Sequence, residues 1–278
     1  MKKLFFAIVI ALCFSACNKI EEPYLTQSQQ EEVNVVFPDL DYNTVYRRIL
    51  FDEYTGHTCT NCPSAHDKVT QLLTQYKDTL VAICIHAGDL AQTYDGLLSY
   101  DFTTEVGNQL YNDFGITAYP VAIINRSGSP ITKPQWDSEL GNADTTLYSA
   151  IQIINQYDAT HQKLKVNTKT TMLRDYAQPV QLSLLLIEDN VVKPQMLPGV
   201  NNVDTFYVHN HVLRAGINGT YGEYISPNGL LEKDSAYLYG YTIDFNGKDW
   251  NPDHCSVIAI LLDKSDKRVL QVGKSKVR

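Results

Sequence analysis

Residues 79–88, TLVAICIHAG, form a nearly unbroken apolar run, the pattern of a strand buried on both faces. Residues 116–125, ITAYPVAIIN, form a second such run, reached through a proline, and RSGSP follows as a turn. Ahead of both, residues 46–56, YRRILFDEYTG, are β-rich and end at a turn. Between the runs the spacing becomes helical. Ala65, Val69, Leu72, Leu73 and Tyr76 share one face, and so do Phe102, Val106, Leu110 and Phe114, with Gly115 as a stop. Leu147, Ala150, Ile151, Ile154 and Tyr157 predict a closing helix. Strand and helix thus alternate three times, which is an α/β layer pattern.

Past residue 160 the helical spacing disappears. KLKVNTKTTML, PVQLSLLLIED, TFYVHNHVLRAGI, AYLYGYTIDF, HCSVIAILLD and RVLQVG are strand-like runs punctuated by Asn, Gly, Pro and Asp. Several short strands in such a length predict an all-β sandwich of immunoglobulin-like size. The change of pattern divides the chain into an α/β part, 44–160, and a β-sandwich, 161–278. No internal repeat is present.

The N-terminus adds a compartment. Lys2 and Lys3 precede an apolar run over 4–14, too short to span a bilayer and suited to a signal peptide. Ser15 and Ala16 then stand directly before Cys17. This resembles a bacterial lipoprotein signal: residues 1–16 would be removed and Cys17 lipidated, although Phe14 stands where that pattern has leucine. An ordinary secretory signal with an incidental cysteine is the alternative. Residues 17–43 begin polar and acidic and read as a tether. Composition (44% hydrophobic, 19% charged) is that of a globular protein, and a net charge of −8 with scattered Lys and Arg argues against nucleic-acid partners.

Export changes what the cysteines mean, because a disulfide persists outside the cytoplasm. Cys59, Cys62, Cys84 and Cys255 remain for the folded chain, too few for a disulfide scaffold. Cys59 and Cys62 sit two residues apart in DEYTGHTCTNCPSAHDK (52–68). Covalent haem attachment needs a histidine after the second cysteine, and Pro63 is there instead. Zinc could take His57, Cys59, Cys62 and His66, but one tetrahedron would have to close within ten residues. A dithiol/disulfide couple fits better. A helix beginning near Asn61 puts Cys59 at its N-terminus, where free N–H groups and the dipole favour thiolate, with Cys62 one turn on. A static disulfide without turnover is the plainer form of this reading.

Thr117-Ala118-Tyr119-Pro120 stands where the second buried run begins. A cis Tyr119–Pro120 bond there would turn the backbone sharply. The order strand, Cys59-x-x-Cys62 helix, strand, helix, Pro120 strand resembles the thioredoxin superfamily over about residues 46–158. That resemblance implies that Pro120 shapes a groove for an extended substrate. It also puts Glu53, six before Cys59, where many thioredoxins hold a buried proton-transferring acid. An exposed strand-end glutamate is the other reading of Glu53.

The whole layout is similar to a family of lipid-anchored outer-membrane proteins of the Bacteroidota, which join a thioredoxin-like domain to an immunoglobulin-like one. Thr55, Gly56, Cys59, Cys62, Pro63 and the stretch NHVLR (210–214) carry this resemblance. It implies an outer-membrane location and two functional readings. One is a thiol–disulfide oxidoreductase acting on thiols or disulfides of exported proteins, with Cys59 attacking, Cys62 resolving, and Pro120 and Glu53 assisting. The other is a non-catalytic binding or structural lipoprotein with a structural disulfide. Neither calls for a cofactor.

Among lesser candidates, His209 and His211 would share a face in a strand, favouring a sheet-surface or inter-domain role over a metal site. His86 ends a buried strand and could line the site or cap it. Cys84 and Cys255 read as small buried hydrophobes. Hydrolase, zincin and nucleotide-loop motifs do not occur in the chain.

Overall fold

A computed structural model describes residues 30–226 and 229–278. The expected signal peptide (1–16), the expected lipidation site Cys17 and the expected tether as far as residue 29 lie outside the described residues.

The first strand, β1 (Ile49–Thr55), is buried along its full length and leads through the cysteine loop into α1 (Cys62–Tyr76). Pro63 is tolerated there because a first-turn N–H has no helical acceptor. β2 (Leu80–His86) then pairs parallel to β1, from Ile49↔Leu80 to Thr55↔His86. Thr104 caps α2 (Glu105–Asp113), accepting from the Gly107 N–H at 2.9 Å, and Gly115 ends the turn with φ +60°. The Tyr119–Pro120 bond is cis, and β3 (Val121–Ile124) runs antiparallel to β1. β4 (Ile131–Thr132) and the short α3 (Trp136–Gly141) close this layer. The resulting order β2-β1-β3-β4, with α1 following β1, is the topology of a thioredoxin-like core.

The expected closing helix at 147–157 is instead β5 (Ser149–Asp158), paired residue for residue with β6 (Lys163–Met172). Ile151 and Ile153 alternate onto the second core there, and β-branched residues are stiff in helices and at home in strands. Helical spacing takes Ile154 and skips Ile153. The third helix of the layer is α3, whose Trp136 and Leu140 give only one helical repeat to read.

β7 (Val180–Glu188) follows, then a run of small pieces: β8 (Val191–Val192), β9 (Gln195–Met196), β10 (Val203–Asp204) and β11 (Val208–His209). β12 (Val212–Gly216), β13 (Glu223–Ser226), β14 (Ala236–Asp244), β15 (Cys255–Asp263) and β16 (Val269–Lys276) complete the chain. β14, β6 and β5 form a three-stranded sheet. The other long strands join one nine-stranded sheet in the order β16-β15-β7-β12-β2-β1-β3-β4, with β13 on β7. β12 is the bridge between halves: it pairs antiparallel to β7 and meets β2 in parallel at Val212↔Cys84.

The two largest apolar cores follow from this layout. One lies between the three-stranded sheet (Leu164, Val166, Tyr241) and β7 and β15 (Leu184, Leu186, Val257, Leu261). The other mixes both halves, packing Leu50, Ile83, Val106 and Ile123 with Leu185, Leu213, Ile258 and Val272. The chain is thus a mixed α/β protein, rich in strands, whose central sheet runs unbroken through both halves. Among the described residues no helix is long and apolar enough to cross a membrane.

Candidate functional site: a covered disulfide over a histidine cluster

Thr55 and Gly56 lead into the cysteine loop, and each has a local task. Thr55 Oγ1 lies 2.9 Å from His66 Nε2, tying the strand end to α1. Gly56 is there because the Leu90 carbonyl lies against it: a Cβ would come within 2.1 Å of that oxygen. Thr58 holds the same carbonyl with its N–H (3.1 Å) and its hydroxyl (2.8 Å). The loop then folds back, with Cys59 N–H to Gly56 O and Cys62 N–H to Cys59 O.

Cys59 and Cys62 are joined in a disulfide with Cα atoms 5.4 Å apart. Both are buried, Cys59 at 3% exposure and Cys62 at 0%. What covers Cys59 comes from β9 on the other half of the chain. Gln195, itself fully buried, donates from Nε2 to Cys59 O at 3.0 Å, and Met196 N–H donates to His57 O at 2.8 Å.

The zinc set does not form. Both sulfurs are consumed in the disulfide, so neither is the thiolate that zinc needs, and His66 is engaged on both ring nitrogens. Among the described residues no group of three or more His, Cys, Asp or Glu is arranged to hold a metal ion.

Pro120 precedes Val121, the partner of Tyr54, so it reaches the sheet beside Thr55 at the end that carries the cysteine loop. Tyr119 fixes that turn by donating its hydroxyl to Ala87 O at 2.7 Å. Glu53 is fully buried rather than an exposed strand end. Its Oε2 accepts from Cys84 Sγ at 3.0 Å, across the register pair Glu53↔Cys84, and its Oε1 lies 3.7 Å from His66 Nε2. Burial, reinforced by Glu53, raises the Cys84 thiol well above its ordinary range, so Cys84 stays protonated. Cys84 and Cys255 are free and buried.

Below the loop the structure gathers histidines that no spacing rule connects: His57, His86 and His209 around Phe102, with His66 beside His209. The His86 ring stacks on Phe102 at 4.4 Å, His209 tilts against it at 4.6 Å, and His57 stands 5.4 Å away. His209 lies 5.5 Å from His86 and 6.3 Å from His66, and the Tyr207 hydroxyl bonds His66 Nδ1 at 2.7 Å. Burial lowers the pKa of His57 and, with help from His209, His66 and His57, takes His86 well below its ordinary value. His209 is brought down by burial to about 3. The rings of His57, His86 and His209 are therefore neutral at pH 7.

His86 thus lines the cluster. His209 is an inter-half residue, but His211 does not share its face. The chain turns at His211 with φ +57°, and that ring pairs with Asp189 at 2.8 Å. One further buried group escaped the sequence reading. Asp52 on β1 receives Arg126 Nε at 2.7 Å, both side chains being fully buried. Burial pushes the Asp52 carboxyl up while Arg126 pulls it down. No motif joins two residues 74 positions apart, so nothing in the sequence pointed to the pair.

Together these features define a class: a thioredoxin-like scaffold whose Cys-x-x-Cys pair is oxidised and capped by the strand-rich half. Residues 107–278 match the family model described as outer membrane protein Omp28, and the chain belongs to that family. An outer-membrane, lipid-anchored location in the cell envelope accompanies this membership, as expected for an outer-membrane lipoprotein family of the Bacteroidota. HBP35 of Porphyromonas gingivalis shares the fold at TM-score 0.61 and 13% identity, over 84% of this chain and 76% of that one. A domain of the outer membrane lipoprotein Omp28 from the same organism aligns at 23% identity and TM-score 0.32, over 49% of this chain and 93% of that one. No curated protein matches the sequence significantly.

Proposed function

We propose that this chain is a binding or structural lipoprotein of the outer membrane, with the thioredoxin-like layers kept as scaffold and Cys59–Cys62 as a structural disulfide. The observation that carries this reading is closure: Cys59 is 3% exposed, with Gln195 of the chain itself bonded to its carbonyl and Met196 N–H bonded to His57 O in the same loop. A nucleophile in thiol exchange must be reached in line by a partner sulfur, and this one is not. The strands after residue 160 serve in this reading as an immunoglobulin-like sandwich (161–278) beside a thioredoxin-like unit (44–160). The core between the two sheets supports the sandwich, although it also takes Ile151 and Ile153 from before residue 160. Because β5 is already paired into the second sheet, the thioredoxin-like unit then ends before Ser149.

The test is turnover at neutral pH. Wild type and Cys59→Ser should reduce a small aromatic disulfide at the same background rate in the presence of a dithiol. Turnover that disappears in Cys59→Ser would overturn the reading.

A second reading is favoured by the placement of Pro120 beside Thr55 and by the depth of Glu53. In it the reduced protein is an oxidoreductase for exported proteins. Cys59 thiolate attacks a substrate disulfide and one substrate sulfur leaves as thiolate. Cys62 then displaces the other, so the substrate is reduced and the pair oxidised. Glu53 takes the Cys62 proton, and Pro120 shapes the groove once the cover has moved. Its signature is accumulation of mixed disulfides in Cys62→Ser.

A further inference from the structure

The cover over the disulfide is held unlike the rest of the molecule. Residues 191–211 contribute β8 to β11, all two-residue strands. Their outer side leaves Val192, Val200, Phe206 and Val208 exposed, with Phe206 at 80% and Val200 at 93%. The inner side is fastened mostly by polar groups: Gln195 to Cys59 O, Met196 N–H to His57 O, Tyr207 to His66, and His209 wedged among Phe102, His86 and His66. Val191 is the buried apolar anchor, packed with Phe102 and Val212. Few apolar contacts and many short pairings mark a unit that opens at a lower cost than the global fold.

We infer that residues 191–211 form an acid-released latch: protonation of His209, in the cluster with His57, His66 and His86, lifts the cover and exposes the Cys59–Cys62 disulfide. The inference rests on the closed-disulfide reading above and adds its regulation. His209 is 2% exposed and its Nδ1 has no hydrogen-bond partner, while Nε2 faces the Lys193 carbonyl at 3.2 Å. A charge on this ring would be stranded.

The groups packed around it do not compensate. From α1 it faces His66, from the cysteine loop His57, from the end of β2 His86, and from its own segment Tyr207 and the carbonyls of Lys193 and Pro194. Arg214 on β12 adds positive charge toward His86. The carboxylates nearby act on other members: Glu53 stands 3.7 Å from His66, Asp101 acts on His57, and Asp67 and Asp204 act on Tyr207.

The sign follows from linkage. A histidine held near 3 when closed and near its ordinary 6.5 when open binds its proton in the open form. Closure is therefore at full strength above about pH 6.5 and weakens as pH falls below it. Between pH 7.5 and pH 5.0, His209 alone raises the open-to-closed ratio about 30-fold.

The test is reduction of the disulfide in the full chain by a water-soluble phosphine at pH 7.5 and pH 5.0, each rate divided by that of oxidised glutathione. Wild type should be reduced about 30-fold faster at pH 5.0 on this relative scale. His209→Phe, which keeps a ring but cannot take a proton, should lose most of that acceleration. In case His209→Phe does not fold, hydrogen exchange on wild type gives a second arm. Amides of 191–211 should lose protection at pH 5.0 while those of β7 and β15 keep theirs. Slow reduction at both pH values would overturn the latch and leave the structural disulfide standing. Fast reduction at both would overturn the latch and the closed-disulfide reading together. Loss of β7 and β15 protection at pH 5.0 would overturn it in favour of global acid unfolding.

Discussion

Asp52 and Arg126 face each other inside the sheet, each side chain fully buried, with one 2.7 Å bond between them. Asp52 Oδ1 and both terminal nitrogens of Arg126 have no further hydrogen-bond partner. A buried pair of this kind returns little net stability, because desolvation cancels most of the attraction. Removing one partner is another matter, since it strands the other charge. Asp52→Asn should therefore cost about 3–5 kcal/mol in urea unfolding, whereas replacing both residues by apolar ones of similar volume should cost much less. Equal losses for the single and double changes would show that the pair matters through shape and not charge. Gly56 is decided at the same scale. A methyl group there would lie 2.1 Å from Leu90 O, and that carbonyl also anchors Thr58. Gly56→Ala must push the 88–92 turn away from the cysteine loop and should lower the melting temperature. The motif that joins Thr55 and Gly56 to the cysteines is thus a packing requirement as much as a chemical one.

The elements that carry the cysteines behave as their sequence predicts. β1 and β2 read as buried runs and are buried, and α1 begins at Cys62, within a residue of the expected start at Asn61. The strands after residue 160 fall within a few residues of their apolar runs, because alternation and burial are local properties of a strand. The helix expected at 147–157 failed because Ile151, Ile153 and Ile154 satisfy both periods, and pairing with β6 settled the choice. β8 to β10 were not legible at all, since two-residue strands carry no period, and β11 is legible only as part of the longer run over 205–217. Their placement over Cys59 is nonetheless what separates a covered disulfide from an exposed one. The cross-link itself closes a very short loop, so its effect on chain entropy is modest, about 2 kcal/mol. A Cys59→Ala/Cys62→Ala variant should melt several degrees lower than wild type yet still fold cooperatively, a difference that calorimetry would read directly. A drop of tens of degrees would mean that the disulfide organises α1 and β9, and does not merely tie them.

The whole molecule unites what its sequence divides. The change of pattern near residue 160 suggests two bodies, yet β12 joins β2 and β7 into one sheet, and one core takes side chains from both sides of the divide. Breaking the halves apart would expose Leu185, Leu213, Ile258 and Val272 on one side and Leu50, Ile83 and Ile123 on the other. Each fully buried aliphatic side chain is worth about 1.5–3 kcal/mol, so separation would cost more than a typical domain has to spare. A single calorimetric transition is expected for the full chain, and residues 44–160 expressed alone should not give a dispersed, folded spectrum. Two resolved transitions would contradict the shared core.

What the amino-acid sequence determined by itself was whatever neighbours along the chain can decide. That covers the thioredoxin-like order of strands and helices around Cys59, Cys62 and Pro120, the β-rich second half, and the cysteine spacing that allows a disulfide. Periodicity, turn residues and motif spacing all act over a few residues, so they survive in one dimension. Only the tertiary structure decided that Gln195 bonds the Cys59 carbonyl, that His57, His86 and His209 meet around Phe102 with His66 beside His209, and that Asp52 finds Arg126. Those contacts join residues up to 152 positions apart, from His57 to His209. They exist because an unbroken sheet and a shared apolar core bring the two halves together, and burial then fixes the charge of every group caught between them.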